Sequence, residues 1–129
     1  MRVVDASVYA TALTDQGSDG ERVRGRLRTV RVAVPEHAAV EVASVIRGRV
    51  LGGALDVDAA RLAIEDLAAA PVLRYDTRPL LSRIWELRDN LTVHDAGYVA
   101  LAEALGCPLV TADRRLARAS GVRCEVELV

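Results

Sequence analysis

The chain has 129 residues, the length of one ordinary domain and enough to bury a core without disulfide or metal staples. Its formal net charge of −1 gives no overall pull toward nucleic acid, although local patches matter more than totals. All 17 basic residues are arginine, which disfavours P-loop phosphate binding, Schiff-base chemistry and receiver-domain phosphorylation, since each normally uses a lysine.

From the N-terminus, "RVVD" (Arg2 to Asp5) reads as a short buried strand and "ASVYATALT" as the helix after it. Gln16 to Glu21 is a loop by its Gly, Ser and Asp content. A helix is expected in "ERVRGRLR" and a strand in "VRVAVP". From Pro35 to Leu51 the pattern is helical, with proline at the start and Gly52-Gly53 at the end. Asp56 to Ala70 makes a further helix, "PVLRYD" a third strand, and "TRPLLSRIWELRD" a helix with Pro79 in its first turn. "TVHDAGYVALAEALG" is the clearest helix, closed by Gly106. The strand "PLVTA", a short helix "DRRLARAS" and a last strand in "RCEVEL" complete the chain.

Short strands alternating with helices predict a single α/β domain over residues 1–129, with a largely parallel sheet and helices on both faces. The strands' continuous apolar runs fit a sheet covered on both sides. There is no GxGxxG fingerprint of dinucleotide binding. Two cysteines are too few for a disulfide framework. With no signal-peptide pattern and no apolar run of roughly 20 residues, a cytoplasmic protein without membrane segments is expected.

Working sites in open α/β sheets lie beyond the carboxyl ends of the strands. Asp5 ends the first strand and Asp113 follows the one in "PLVTA"; if those strands are neighbours, the two carboxylates share an edge. Each is equally explained as a helix N-cap, and Asp95 as an acid in a helix's first turn. Glu41 falls at the margin of its helix's apolar stripe, beside Ala38 and Val45, with Ser44 and Gly48 in the lane above. Converging carboxylates without a lysine partner call for raised pKa values or a bound cation. Oxygen donors select Mg²⁺ or Mn²⁺ over zinc, and neither His37 nor His94 has zinc-binding spacing. Metal-assisted phosphodiester hydrolysis fits this donor set best.

The segments "VVDAS", "HAAVEVASVIRG" and "VHDAGYVALAEALGCPLVTAD" with the following "RRLA" resemble a PIN-domain ribonuclease, most closely a VapC-type toxin of a toxin–antitoxin pair. The likeness spans essentially the whole chain. It implies a three-layer α/β/α fold with about five short strands. It also implies an acidic cluster of Asp5, Glu41, Asp95 and Asp113, with Asp5, Asp95 and Asp113 as the main ligands of Mg²⁺ or Mn²⁺, an RNA substrate, a homodimer and a small antitoxin. Ser7 and Thr111 match small hydroxyl positions beside the acids, where local capping explains them equally well. His94 is given no catalytic role.

Arg22, Arg24, Arg26, Arg28 and Arg31 form a basic run that reads as a solvated surface or as phosphate contacts. Arg114 and Arg115, beside the fourth acid, are better placed to hold a substrate strand. "SVYATAL" and "AARLAIEDLAAA" could supply partner surfaces or core. The competing readings are a related nuclease of RNA maturation or DNA processing, and a non-catalytic RNA- or protein-binding module.

Overall fold

The computed structural model describes residues 1–129. Five strands, β1 (Arg2–Val4), β2 (Val32–Pro35), β3 (Leu73–Tyr75), β4 (Leu109–Thr111) and β5 (Val126–Leu128), form one sheet in the order β3-β2-β1-β4-β5. All four pairings are parallel. Seven helices surround it: α1 (Ala6–Thr14), α2 (Ser18–Leu27), α3 (Ala38–Leu51), α4 (Val57–Ala69), α5 (Leu81–Glu86), α6 (Val93–Leu105) and α7 (Arg114–Arg118). None is long and apolar enough to cross a membrane.

The burial of each strand follows its place in the sheet. Val3 and Val4 of central β1, and Leu109, Val110 and Thr111 of β4, are fully buried, while the edge strands β3 and β5 are half-exposed. Helix α6 packs on β1, β2 and β4, with α5 beside it; α1 packs on β4 and is covered by α2, α3 and α4. Residues Ala96 to Ala102 of α6 are buried without a break, so this helix lies inside the protein rather than on it. Its ends are defined chemically: the Thr92 hydroxyl accepts from Asp95 N at 3.2 Å, and Gly106 turns left-handed at φ 62°.

The chain leaves β1 toward β2 and β3 on one side and later fills β4 and β5 on the other. The strand order therefore reverses between β1 and β4, and the crevice beyond their carboxyl ends is the topological switch point of the sheet.

Four sequence expectations shift. Pro35 ends β2 instead of opening the helix: it pairs in register with Tyr75, Glu36 N donates to Tyr75 O at 2.9 Å, and α3 starts only after a turn through Glu36 and His37. Lacking an N–H, proline is tolerated at this strand end because the next residue supplies the donor. The expected loop from Gln16 to Glu21 is mostly helix, α2 beginning at Ser18 after Gly17 N closes onto Asp15 Oδ1 at 2.7 Å. The segment after β3 is a 3₁₀ turn (Arg78–Leu80) followed by the short α5 rather than one helix. The strands are three or four residues long, shorter at their ends than the apolar runs suggest.

Gly20 allows the close approach of α1 and α2. A Cβ at this position would lie 1.9 Å from the carbonyl oxygen of Asp15, the same oxygen that accepts from Arg24 Nη1 at 2.6 Å. Gly20→Ala is expected to force α2 away and cost about 1–3 kcal/mol in urea unfolding; an unchanged midpoint would show that the α1–α2 junction yields freely.

Candidate active site

Asp5 stands where β1 passes into α1. Its Oδ1 accepts from Val8 N at 2.8 Å as the cap of α1, and its Oδ2 accepts from the Thr111 hydroxyl at the end of β4. It is the only acid in the core, 8 % exposed. Burial holds its carboxyl above the ordinary value and the charges of Asp95 and Glu41 push the same way, while the Thr111 and Val8 bonds oppose them.

Thr111 is fully buried and links two acids: besides donating to Asp5, its hydroxyl accepts from Asp113 N at 2.9 Å. Asp113 in turn caps α7, its Oδ1 accepting from Arg115 N at 2.8 Å, and the Arg115 guanidinium closes on both carboxylate oxygens at 3.2 and 2.9 Å. The side-chain bond to Arg115 is the main reason the Asp113 carboxyl lies below its usual value.

Asp95, in the first turn of α6, is half-buried, and its carboxylate makes no protein hydrogen bond. Glu41 projects from α3 toward α6, where the Tyr98 hydroxyl donates to its Oε2 at 3.1 Å and His37 Nε2 lies 3.6 Å from the same oxygen. Burial pushes the Tyr98 hydroxyl well above its ordinary value, and Glu41 adds to the shift, so Tyr98 is a permanent donor. Burial also pulls the His37 imidazole down, against the attraction of Glu41, which makes this contact one with a neutral ring.

The four predicted acids line one cleft of about 270 Å³ together with Ser7, Val45, Tyr98 and Leu116. Ser7 is exposed there and Thr111 lies behind the wall. No arginine lines this space. A side cleft of about 200 Å³ shares Asp95, Asp113 and Leu116 and adds Asn90, Thr92 and Arg115. Arg115 therefore stands at the rim, paired but with its side chain 91 % exposed, whereas Arg114 is exposed and lines neither cleft.

As the side chains stand, no three His, Cys, Asp or Glu groups are placed to hold one metal ion directly. The donor set nevertheless suits a hard, hydrated cation: Asp95 and Glu41 Oε1 have no protein partner, and burial and neighbouring acids disfavour charge on Asp5, which a cation would offset. Mg²⁺ commonly takes only one or two carboxylates and keeps several waters, which this spread arrangement accommodates.

Three arginines of the basic run have partners within the chain, and Arg28 and Arg31 are exposed. Arg24 donates to the carbonyls of Ala12 and Asp15, Arg26 to that of Leu128, and Arg22 pairs with Asp19. Of the two proposed partner segments, α1 is core through Val8, Tyr9 and Ala10, while α4 exposes Leu62 and Ile64. From sequence, Tyr98 carries no assigned role and His37 enters only as a histidine without zinc-binding spacing. Their signals were the spacings His37 to Glu41 and Asp95 to Tyr98, four and three residues apart on their helices. A larger cleft, about 500 Å³, lies before β4 and β5, away from the acids. Its thiols, Cys107 and Cys124, are pushed up by burial, the second to about 11, which disfavours the thiolate.

Residues 2–122 match the family model for the PIN domain. Ribonuclease VapC1 of Mycobacterium tuberculosis is 40% identical over 128 residues, covering 98% of this chain and 96% of that protein. Among solved structures, VapC20 of M. tuberculosis, described as a sarcin-ricin loop cleaving toxin, superposes with a TM-score of 0.72 at 17% identity, covering 95% of this chain and 97% of that one. VapBC2 of Rickettsia felis, solved bound to a DNA fragment from its promoter, gives a TM-score of 0.69 at 12% identity over 99% of this chain and 98% of that one.

Proposed function

This chain belongs to the PIN-domain family, and from that premise we propose that it is a metal-dependent endoribonuclease, the toxin of a toxin–antitoxin pair. The observation that carries the reading is the meeting of Asp5, Glu41, Asp95 and Asp113 around one cleft with no arginine lining it. The ribonuclease names of its relatives support the substrate class, and the VapBC complex supports an antitoxin partner.

Mg²⁺ or Mn²⁺, when bound, would lower the pKa of a water and screen the scissile phosphodiester. Asp5 and Asp95 would hold the ion most directly. Asp113, with both oxygens engaged by Arg115, would act as an outer ligand. Glu41 would orient the attacking water through Oε1, the oxygen that Tyr98 leaves free. The exposed Arg115 fork at the rim suits a phosphate of the bound strand. Exposed apolar side chains on α3, α4 and α5, among them Val40, Leu51, Val57, Leu62, Leu81 and Trp85, offer surface for an antitoxin and for a second copy of the chain.

Incubation of the purified chain with structured RNA tests the reading. Cleavage is expected with Mg²⁺ or Mn²⁺, abolished by a chelator and restored by excess metal. Cleavage indifferent to chelation would overturn the metal mechanism. Growth arrest on induced expression, relieved by a small cognate partner, is the expected cellular result, and unimpeded growth would count against a toxin.

A further inference from the structure

Asp5 and Asp113 are fixed by the helices they cap, but Glu41 has no such anchor. It reaches the cleft on a long side chain from α3, and what stops it from wandering comes from α6. Tyr98 is 1 % exposed, its ring set in the core, and its hydroxyl has Glu41 Oε2 as its one hydrogen-bond partner. His37 fills the rest of the gap between the two helices. It meets Tyr98 edge-on at 5.2 Å and His94 at 5.4 Å, and its buried Nε2 makes no hydrogen bond. Gly97 makes room for it: a Cβ there would lie 2.6 Å from His37 Cε1.

We infer that Tyr98 and His37 are positioning residues for Glu41, clamping Oε2 so that Oε1 alone acts in the cleft. The inference rests on the nuclease reading above. If Tyr98 only filled space, phenylalanine would serve as well, because a buried tyrosine hydroxyl has to be given a partner. The clamp also has a geometric consequence. Asp95 and Tyr98 are three residues apart on α6, hence on one face. One rigid, buried helix thus carries both an acid of the cleft and the group that orients the acid opposite.

Tyr98→Phe tests this in the intact chain with Mg²⁺ and RNA. The variant should fold, keep its KM and lose about tenfold in kcat, the worth of one hydrogen bond made to the reacting arrangement. Its crystal structure should show the Glu41 carboxylate in more than one rotamer. Added to Glu41→Gln, the substitution should cause no further loss, because both changes remove the same function. Gly97→Ala, which displaces His37 while leaving the Tyr98 hydroxyl, should lower kcat in the same direction. Wild-type kcat in Tyr98→Phe, or a single unmoved Glu41 in its structure, would overturn the inference. Equal cleavage by the wild type and Glu41→Gln would also overturn it, by refuting the role of Glu41 on which it depends.

Discussion

Asp5→Asn is expected to abolish RNA cleavage while making the protein harder to unfold. The catalytic loss should be at least about 10²–10³-fold, the scale on which removing one preorganised electrostatic group acts. The gain in stability follows from the position of the carboxylate. Burial, reinforced by Asp95 and Glu41, holds the Asp5 carboxyl above its ordinary value. The folded chain therefore binds this proton more tightly than the unfolded chain does. The stability Asp5 contributes is complete below its unfolded pKa and is lost as pH rises through the raised, folded value. Asparagine keeps the cap on Val8 and carries no charge. At neutral pH its melting temperature should exceed that of the wild type by about 2–4 °C, equivalent to roughly 1 kcal/mol in a chain of this size. The difference should disappear on acidification below the ordinary carboxylate range. Mg²⁺ should raise the wild-type melting temperature and leave that of Asp5→Asn unchanged. A variant that cleaves RNA normally, or that melts below the wild type at every pH, would contradict this account of the site.

Such a trade of stability for charge explains why the cleft is built at strand ends. Asp5 and Asp113 follow the central strand β1 and its neighbour β4, the fully buried part of the sheet, and Thr111 connects them through one hydroxyl. Neither carboxylate can relax outward without breaking a helix cap. Like charges that would separate on a flexible loop are kept together here by elements whose burial is decided elsewhere in the core.

These strand–helix junctions are local features, which is why Asp5 and Asp113 could be picked out from sequence, and the wheel of α3 placed Glu41 at a buried margin. Pairing is different. That β1 lies between β2 and β4 depends on contacts about a hundred residues apart, and no local pattern encodes them. The same limit hid Tyr98, whose partner is 57 positions away, and His37, which sits in a space opened by Gly97 on another helix. The arginine run stayed open between a solvated surface and phosphate contacts for a related reason: the carbonyls that Arg24 and Arg26 reach, at the end of α1 and in the C-terminal strand, are not encoded in the local spacing. Pro35 and Ser18 shifted element boundaries because proline and glycine mark breaks without saying on which side of the break the regular structure lies.

Thr111→Val should be the most destabilising of the conservative changes around the cleft. Valine matches threonine in shape, so packing at this fully buried position is preserved. What is lost is the hydroxyl, and with it the donor to Asp5 Oδ2 and the acceptor for Asp113 N. Leaving a buried carboxylate oxygen and a backbone N–H without these partners should cost about 2–3 kcal/mol at neutral pH, several times the roughly 0.5 kcal/mol typical of surface substitutions. The penalty should also depend on pH. The Thr111 bond pulls the Asp5 carboxyl down against burial, so its removal moves the folded pKa of Asp5 further up. The variant is then weakest where Asp5 is ionised and recovers as pH falls through that higher value. Thr111→Ser, which keeps the hydroxyl and gives up one methyl, should lose only about 0.8 kcal/mol at all pH values. In the Asp5→Asn background, where no charge needs the donor, Thr111→Val should cost distinctly less than in the wild type. Urea unfolding of the five proteins at neutral and acid pH decides the matter: a penalty for valine that is the same at both pH values and in both backgrounds would reduce Thr111 to a packing residue and break the link between the two acids.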